Sequence, residues 1–369
     1  MRDMCPMSRA WYSAFIACAL MVRRLTVVGI LLIALFTPPG HAADGTIQLR
    51  AVGGLATVSQ YEQFEKPFWT RDVPRLTGGR VRADIQPFDG SGLSGQEMLQ
   101  FMRLGVVPLG TALLAQVSAD EPELNAVDLP LLNPDMASLR RTVKLYREHL
   151  HQLLLARYNI ELLGIYAYPA QVLYCAQPFT GLKDLAGRKI RTSSVGQSEL
   201  MAALGAIPVV IPFAEIVTAI RGSVVDCAIT GTMSGNQIGL PGVTSHIYPM
   251  SISWGLSIFG ANANAWGLLP PDVRDTLQIG IARLEIQIWD ASDRETLAGL
   301  ACNTGSADCA GGKPFRMTLV PVSAEDDARR ARLLAESILP RWIERCGNDC
   351  VTAWNRTLGA ATGILTSAE

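Results

Sequence analysis

Charge of either sign is not in surplus: 32 Lys and Arg stand against 33 Asp and Glu, a formal net charge of −1. That balance argues against a nucleic-acid footprint and against a solvating acidic tail. Histidine is scarce, at four in 369 residues. None sits at ligand spacing from a cysteine or another histidine, so no metal site is expected, and no motif asks for a cofactor. Long apolar runs are missing as well. The longest, Leu25 to Phe36, has about twelve residues, where a helix needs about 20 to span a bilayer. There is no internal repeat, low-complexity tract or long linker.

What is present begins with an address. The stretch MVRRLTVVGILLIALFTPPGHAADG has Arg23 and Arg24, then the apolar run, then Pro38, Pro39 and Gly40, and small residues at Ala42 and Ala43. This is the three-part pattern of a secretory signal occupying 1–43, with Met21 as a well-proportioned start; the alternative is an uncleaved anchor. Cleavage would remove Cys5 and Cys18 and leave an even six cysteines, suited to an oxidising compartment. Cys302 and Cys309 bracket a turn-rich segment, and Cys346 and Cys350 bracket GND, so both pairs read as local staples. Cys175 and Cys227 are either a third, long-range pair or two buried thiols.

With 49% hydrophobic and 18% charged residues, the rest of the chain can build one large or two medium cores. TIQLRAVGG reads as a strand, SQYEQFEKPFWTRDVPRLTGG as a helix, and RVRADIQPF as a second strand. SGQEMLQFMRLG reads as a helix capped by Ser94 and Glu97 and ended by Gly105, and VVPLGTALL as a buried strand. That alternation is an α/β pattern with a parallel sheet. After a helix in DMASLRRTVKLYREHLHQLLLARYN, the apolar run IELLGIYAYPAQVLYC is long enough to cross between two domains. A second α/β unit follows, and SHIYPMSISWGLSIFGANANAW crosses back. PPDVRDTLQIGIARLEIQIWDASDRETLAGLA is a long helix that starts with Pro270 and Pro271. A later amphipathic helix carries the stripe Leu333, Leu334, Ile338, Trp342 and Ile343, which reads as a packed core face. The expected division is 44–168 as the first part of domain 1, 169–254 as domain 2, 255–297 as the return to domain 1 with the long helix, and 298–369 as a helical part packing on domain 2.

The run GLKDLAGRKIRTSS, followed by LGAIPVVIPFAEIVTAIRGSVVD, resembles the core signature of the DctP-type solute-binding proteins of tripartite ATP-independent periplasmic (TRAP) transporters. Asp184, Leu185, Gly187, Lys189, Ile190 and Arg191 fit its first half. Leu204, Gly205, Ala206, Pro208, Pro212, Phe213, Glu215, Ala219, Val225 and Asp226 fit its second. LTGGRVRADIQP, EMLQFMRLG, AVDLPLL and AWGLLPPDVRDTL are similar in order and spacing. The resemblance implies a two-domain periplasmic binding protein fold, type II-like, with crossing hinge strands and a long bracing helix. It also implies a periplasmic protein, expected to be a monomer, that closes on a small organic acid and delivers it to TRAP membrane permease subunits. In that family the Arg ending this strand pairs bidentately with the ligand carboxylate, a role that suits the planar, always charged guanidinium.

The chain departs from the pattern at the other contact positions. Thr230 stands near the family's ligand-holding Asn, and Cys227 replaces its Gly. Gln171 stands where sialic-acid binders carry a second Arg, and TALLAQ replaces an acidic residue. Fewer charged anchors suggest a ligand with one carboxylate and a less polar body, flanked by Tyr166, Tyr168, Trp254 or Phe259. The Gly-rich FDGSGLSG lacks phosphate-loop spacing; it reads as a loop at the cleft side of its strand, with Ser91 as a ligand contact. The expected ligand-binding set is thus Arg191, Gln171, Thr230, Ser91 and Trp254. The rival readings are an exported α/β enzyme, for which no G-x-S-x-G elbow exists, and a binding protein serving a sensor kinase.

Overall fold

The computed structural model describes residues 45–367; the expected signal, with Cys5 and Cys18, lies outside them. Two sheets carry the fold. In the first, the order is β2 (Val81–Pro87), β1 (Ile47–Gly53), β3 (Leu109–Leu113), β10 (Ser257–Asn262) and β4 (Ile160–Tyr166). Strands β1, β2 and β3 run parallel, and β10 is antiparallel to both its neighbours. The second sheet has the order β11 (Thr318–Leu319), β9 (His246–Ser253), β5 (Gln171–Cys175), β8 (Cys227–Gly231), β6 (Lys189–Thr192) and β7 (Ile207–Val210). The chain passes between the sheets at 167–170 and again at 254–256. A single large apolar cluster runs from Leu55 and Met98 in the first lobe through Trp254 to Ile190 and Tyr248 in the second.

Local signals explain most helix ends. Helix α1 (Met98–Arg103) stops before Gly105 at φ 73°. Its start differs from the expected capping box: Glu97 is the N-cap residue and no side chain caps it, because Ser94 and Gly95 are drawn into the wall of the cleft. Helix α2 (Met136–Tyr158) is capped by Asp135, which accepts from the Ser138 N–H, and ends at Asn159 in the left-handed region. Helix α3 (Val195–Ala203) is capped by Ser194 and ends ahead of Gly205, φ 75°. Helix α4 (Thr232–Gln237) follows β8 directly.

The long helix is α5 (Pro271–Thr304). Its first half buries Leu277, Ile281, Leu284 and Ile288 against the first sheet. Glu285 accepts two hydrogen bonds from Arg147, at 2.5 and 2.9 Å, and one from the Ile165 N–H. Its second half lies on α4 so closely that a Cβ at Gly299 would stand 2.3 Å from the Met233 nitrogen. There Asn303 donates to the Tyr174 hydroxyl and the Thr232 carbonyl. One rigid rod therefore touches both lobes. Leu333, Leu334, Ile338 and Trp342 are buried, as the apolar stripe implies.

Three disulfides close: Cys302–Cys309, Cys346–Cys350 and Cys175–Cys227. The last pair faces across β5 and β8 in direct register, which settles the choice left open by the sequence.

Candidate functional site

Arg191 is the third residue of β6, a strand flanked by β7 and β8, so its side chain is only 3% exposed. Its Nε donates to the Ile211 carbonyl at 2.8 Å and its Nη1 to the Ile229 carbonyl at 2.7 Å. Two neighbouring chain segments thereby hold the guanidinium by its Nε and Nη1 hydrogens, and the residue lines a cavity of ≈ 330 Å³ between the lobes. No acid faces it among the described residues. Burial alone pulls its pKa down to about 9, which still leaves a cation at neutral pH.

The cavity is otherwise uncharged. The first lobe supplies Leu55, the Ser94–Gln96 loop and the end of β3 through Gln116. The second supplies Gln171, Ser193–Val195, Val210–Phe213, Thr230 and Ser234. Tyr168 and Gly255 come from the two crossings. Arg191 is the only lining residue with a formal charge. The Gln116 amide rests on Gly95, where a Cβ would meet its Oε1 at 1.7 Å, and that Oε1 is buried with no hydrogen-bond partner among the described residues.

Two buried acids underlie the crossings. Asp128 accepts from the N–H groups of Trp254 and Gly255, each at 2.8 Å, and of Leu256 at 3.4 Å. Glu65 lies beneath β1 and accepts from the Gly54 N–H at 2.5 Å, from Gln60 Nε2 at 3.2 Å and from the Thr111 hydroxyl at 3.3 Å. Desolvation outweighs these donors and pushes each carboxyl up to about 7.

A cleft between two lobes with one buried guanidinium is how this chain presents itself, and a family profile agrees: residues 57–300 match that of DctP, bacterial extracellular solute-binding protein, family 7. The chain belongs to the DctP family. Solved structures repeat its fold. A Bordetella pertussis extracytoplasmic solute receptor binding pyroglutamic acid superposes with a TM-score of 0.73 at 21% identity, covering 84% of this chain and 99% of that one. A TRAP periplasmic solute-binding protein from Desulfovibrio salexigens with bound orotic acid gives 0.74 at 16% identity, covering 87% and 100%. One from Sulfurospirillum deleyianum with bound succinate gives 0.71 at 18% identity, covering 84% and 98%. The family is one of extracytoplasmic solute receptors, and no helix among the described residues is long and apolar enough to cross a membrane.

Within this DctP-family protein, the cavity brings together Arg191, Gln171 and Thr230 from the expected set. Ser91 and Trp254 lie off it. The Ser91 hydroxyl is turned into its own loop, donating to the Phe88 carbonyl at 2.7 Å and accepting from the Leu93 N–H; that loop reaches the cavity three residues later, at Ser94. Trp254 is 2% exposed and its indole donates to the Asn133 carbonyl at 2.9 Å, so it packs into the crossing. Of the other aromatic candidates only Tyr168 lines the cavity; Tyr166 and Phe259 stack on each other, ring centroids 6.0 Å apart, in the core of the first lobe. Sequence reasoning missed Gln116, Gln96 and Ser193–Val195 as lining residues. The S-x-x-Q spacing of Ser194 and Gln197 was a usable signal for a helix start, but nothing in it reveals the partners across the sheet.

Proposed function

We propose that this protein captures a small organic acid with a single carboxylate and delivers it to a TRAP membrane permease, without transforming it. The observation that carries the reading is Arg191: a buried cation that faces no acid among the described residues and lines the cavity between the lobes. Burying such a charge unpaired is unfavourable, so the arrangement stores an unmet demand for an anion. Two of its N–H groups are engaged on backbone carbonyls, and a carboxylate is the ligand whose geometry suits the remainder of the fork. Thr230 and Gln171 line the same cavity as polar groups. One charge also limits the ligand to one charge. A second carboxylate would lie against neutral walls such as Leu113, Val195 and Ile211. The pyroglutamate and orotate bound by structural neighbours are acids of this kind, with one carboxylate and ring carbonyls.

We assign 44–168 and 255–297 to one lobe and 169–254 with 298–369 to the other, a division supported by the membership of the two sheets. An export signal over 1–43 fits the same reading.

A thermal-shift screen of organic acids tests it. Monocarboxylates bearing a carbonyl, pyroglutamate and orotate among them, are expected to raise the melting temperature, and succinate and malate to leave it unchanged. A ligand at a hundred times its Kd adds about 2.7 kcal/mol of stability. Recovery of the acid unaltered after prolonged incubation separates a receptor from an enzyme. Stabilisation by dicarboxylates alone, or by no organic acid, overturns the proposal.

A further inference from the structure

The second feature of the cavity with directional chemistry is Gln171, and its direction is set from outside the cavity. The Ser193 main-chain N–H can only donate, and it donates to Gln197 Oε1 at 2.8 Å. The Ser193 hydroxyl adds a second bond to the same oxygen at 3.1 Å. Gln197 Nε2 must therefore point the other way. There it spends both hydrogens, one on Gln171 Oε1 at 2.6 Å and one on the Ser253 hydroxyl oxygen at 2.8 Å. Ser253 completes the set by donating to Gln171 Oε1 at 3.2 Å. Gln197 is 1% exposed, and its main-chain N–H is itself fixed by the Ser194 cap at 3.1 Å. Every donor and acceptor on the Gln197 amide is matched. The one open end is Gln171 Nε2, which has no hydrogen-bond partner among the described residues. It stands close over Gly255, where a Cβ would approach it to 2.2 Å, and Gln171 and Gly255 both line the cavity.

We infer that Gln197 is a positioning residue that fixes the polarity of Gln171, so that the receptor offers an amide N–H in the cavity that Arg191 also lines and selects acids carrying a hydrogen-bond acceptor as well as the carboxylate. A primary amide is normally ambivalent, since rotating it by a half-turn exchanges donor for acceptor. Here that rotation would set the Gln171 amide hydrogens against those of Gln197, and rotating both would set Gln197 against the Ser193 N–H. Specificity for an acceptor thus originates in one main-chain group at the start of α3, two residues beyond Arg191. Sites that donate to a ligand reject analogues bearing a donor in the same place, because two hydrogens then face each other with no acceptor between them.

This inference rests on the carboxylate-receptor reading, and its test separates the two. The mature protein and its Gln197→Glu variant are compared at pH 8. The introduced carboxylate can still accept from Ser193 but cannot donate to Gln171, which must turn its amide to meet it. Neutron diffraction from perdeuterated, ligand-free crystals reads the amide directly: deuterium on the cavity side of Gln171 in the natural protein, and oxygen there in the variant. Calorimetry then compares picolinate, whose ring nitrogen accepts, with pyrrole-2-carboxylate, whose ring nitrogen donates. The natural protein is expected to favour picolinate at least tenfold and the variant to reverse the order; taking the ratio cancels the added negative charge. Gln197→Met, which is neutral and removes all four hydrogen bonds of the amide, is expected to bring the ratio close to one, and it serves if the Glu variant fails to fold. An unturned Gln171 opposite the ionised carboxylate, or a picolinate preference unchanged in both variants, overturns the inference. If the natural protein binds neither acid nor any other monocarboxylate, the receptor reading falls, and the diffraction result still decides the relay.

Discussion

Replacing Arg191 by Met removes the charge and keeps most of the side-chain volume, and the structure sets the size of the effect. Burial lowers the Arg191 pKa well below the usual guanidinium range, to about 9. At about 1.4 kcal/mol per unit, keeping the cation in the ligand-free protein costs about 5 kcal/mol. The sign follows from linkage: a base whose folded pKa is depressed opposes folding fully below about pH 9, and the opposition fades as pH rises above that toward the ordinary guanidinium range. The Met variant escapes that cost but strands the carbonyls of Ile211 and Ile229, at about 1–3 kcal/mol each. The ligand-free variant should therefore lie between about 3 kcal/mol more stable and about 1 kcal/mol less stable than the natural protein. Binding should move oppositely and further. Loss of one partner of a buried charge pair costs about 2–5 kcal/mol, or roughly thirtyfold to several thousandfold in Kd. Urea unfolding of the ligand-free proteins and calorimetry with the best monocarboxylate measure the two halves. A Met variant that keeps the ligand's affinity, or that loses several kcal/mol of ligand-free stability, refutes the reasoning, because Arg191 would then be a structural ion.

Three further outcomes follow from other parts of the molecule. Glu65, raised to about 7 by burial, is protonated in the native state where the unfolded chain is ionised, so stability should fall by about 3 kcal/mol as pH rises from 4.5 to 7. Asp128 falls in the same window, so Glu65→Gln should remove only part of that slope in denaturant midpoints measured against pH. Gly255→Ala places a Cβ at φ 66° against Gln171 Nε2, so calorimetry should show weakened binding of acceptor-bearing acids, whereas a second alanine at the open Gly242 should leave binding unchanged. Cys175 and Cys227 enclose a separation of 52 residues and Cys302 and Cys309 one of 7, so chain entropy assigns about 4 kcal/mol to the first bridge and about 2 kcal/mol to the second. Paired Cys→Ala variants followed by urea unfolding check that order, and equal losses would contradict it.

Much of the architecture is written locally. Alternation marks β2, a continuous apolar run marks β3, and Asp135 and Ser194 begin their helices where short polar side chains can satisfy free N–H groups. Gly105 and Gly205 end theirs because only glycine takes positive φ there without strain. The order of motifs around Arg191 was enough to indicate the family, and the strand that places this residue is fixed by its neighbours in the chain. The Ser94–Glu97 cap failed for the complementary reason: tertiary contacts at the cleft wall outweigh a capping bond of about 1 kcal/mol. Ser91 and Trp254 lie off the cavity for two different reasons. The serine hydroxyl is satisfied inside its own loop by Phe88, three residues away, whereas the tryptophan is held by Asp128 and Asn133, more than a hundred residues away.

The amino-acid order alone therefore determined the two-sheet plan, an even set of cysteines with two local staples and a guanidinium at a strand end, since propensity, periodicity and capping act over a few residues. Only the folded chain decided that this guanidinium has no acid to answer it, and that Gln197 reaches across from α3 to turn Gln171 toward the cavity. Desolvation and hydrogen-bond direction are properties of everything that surrounds a group, and those surroundings come from segments that the sequence keeps far apart.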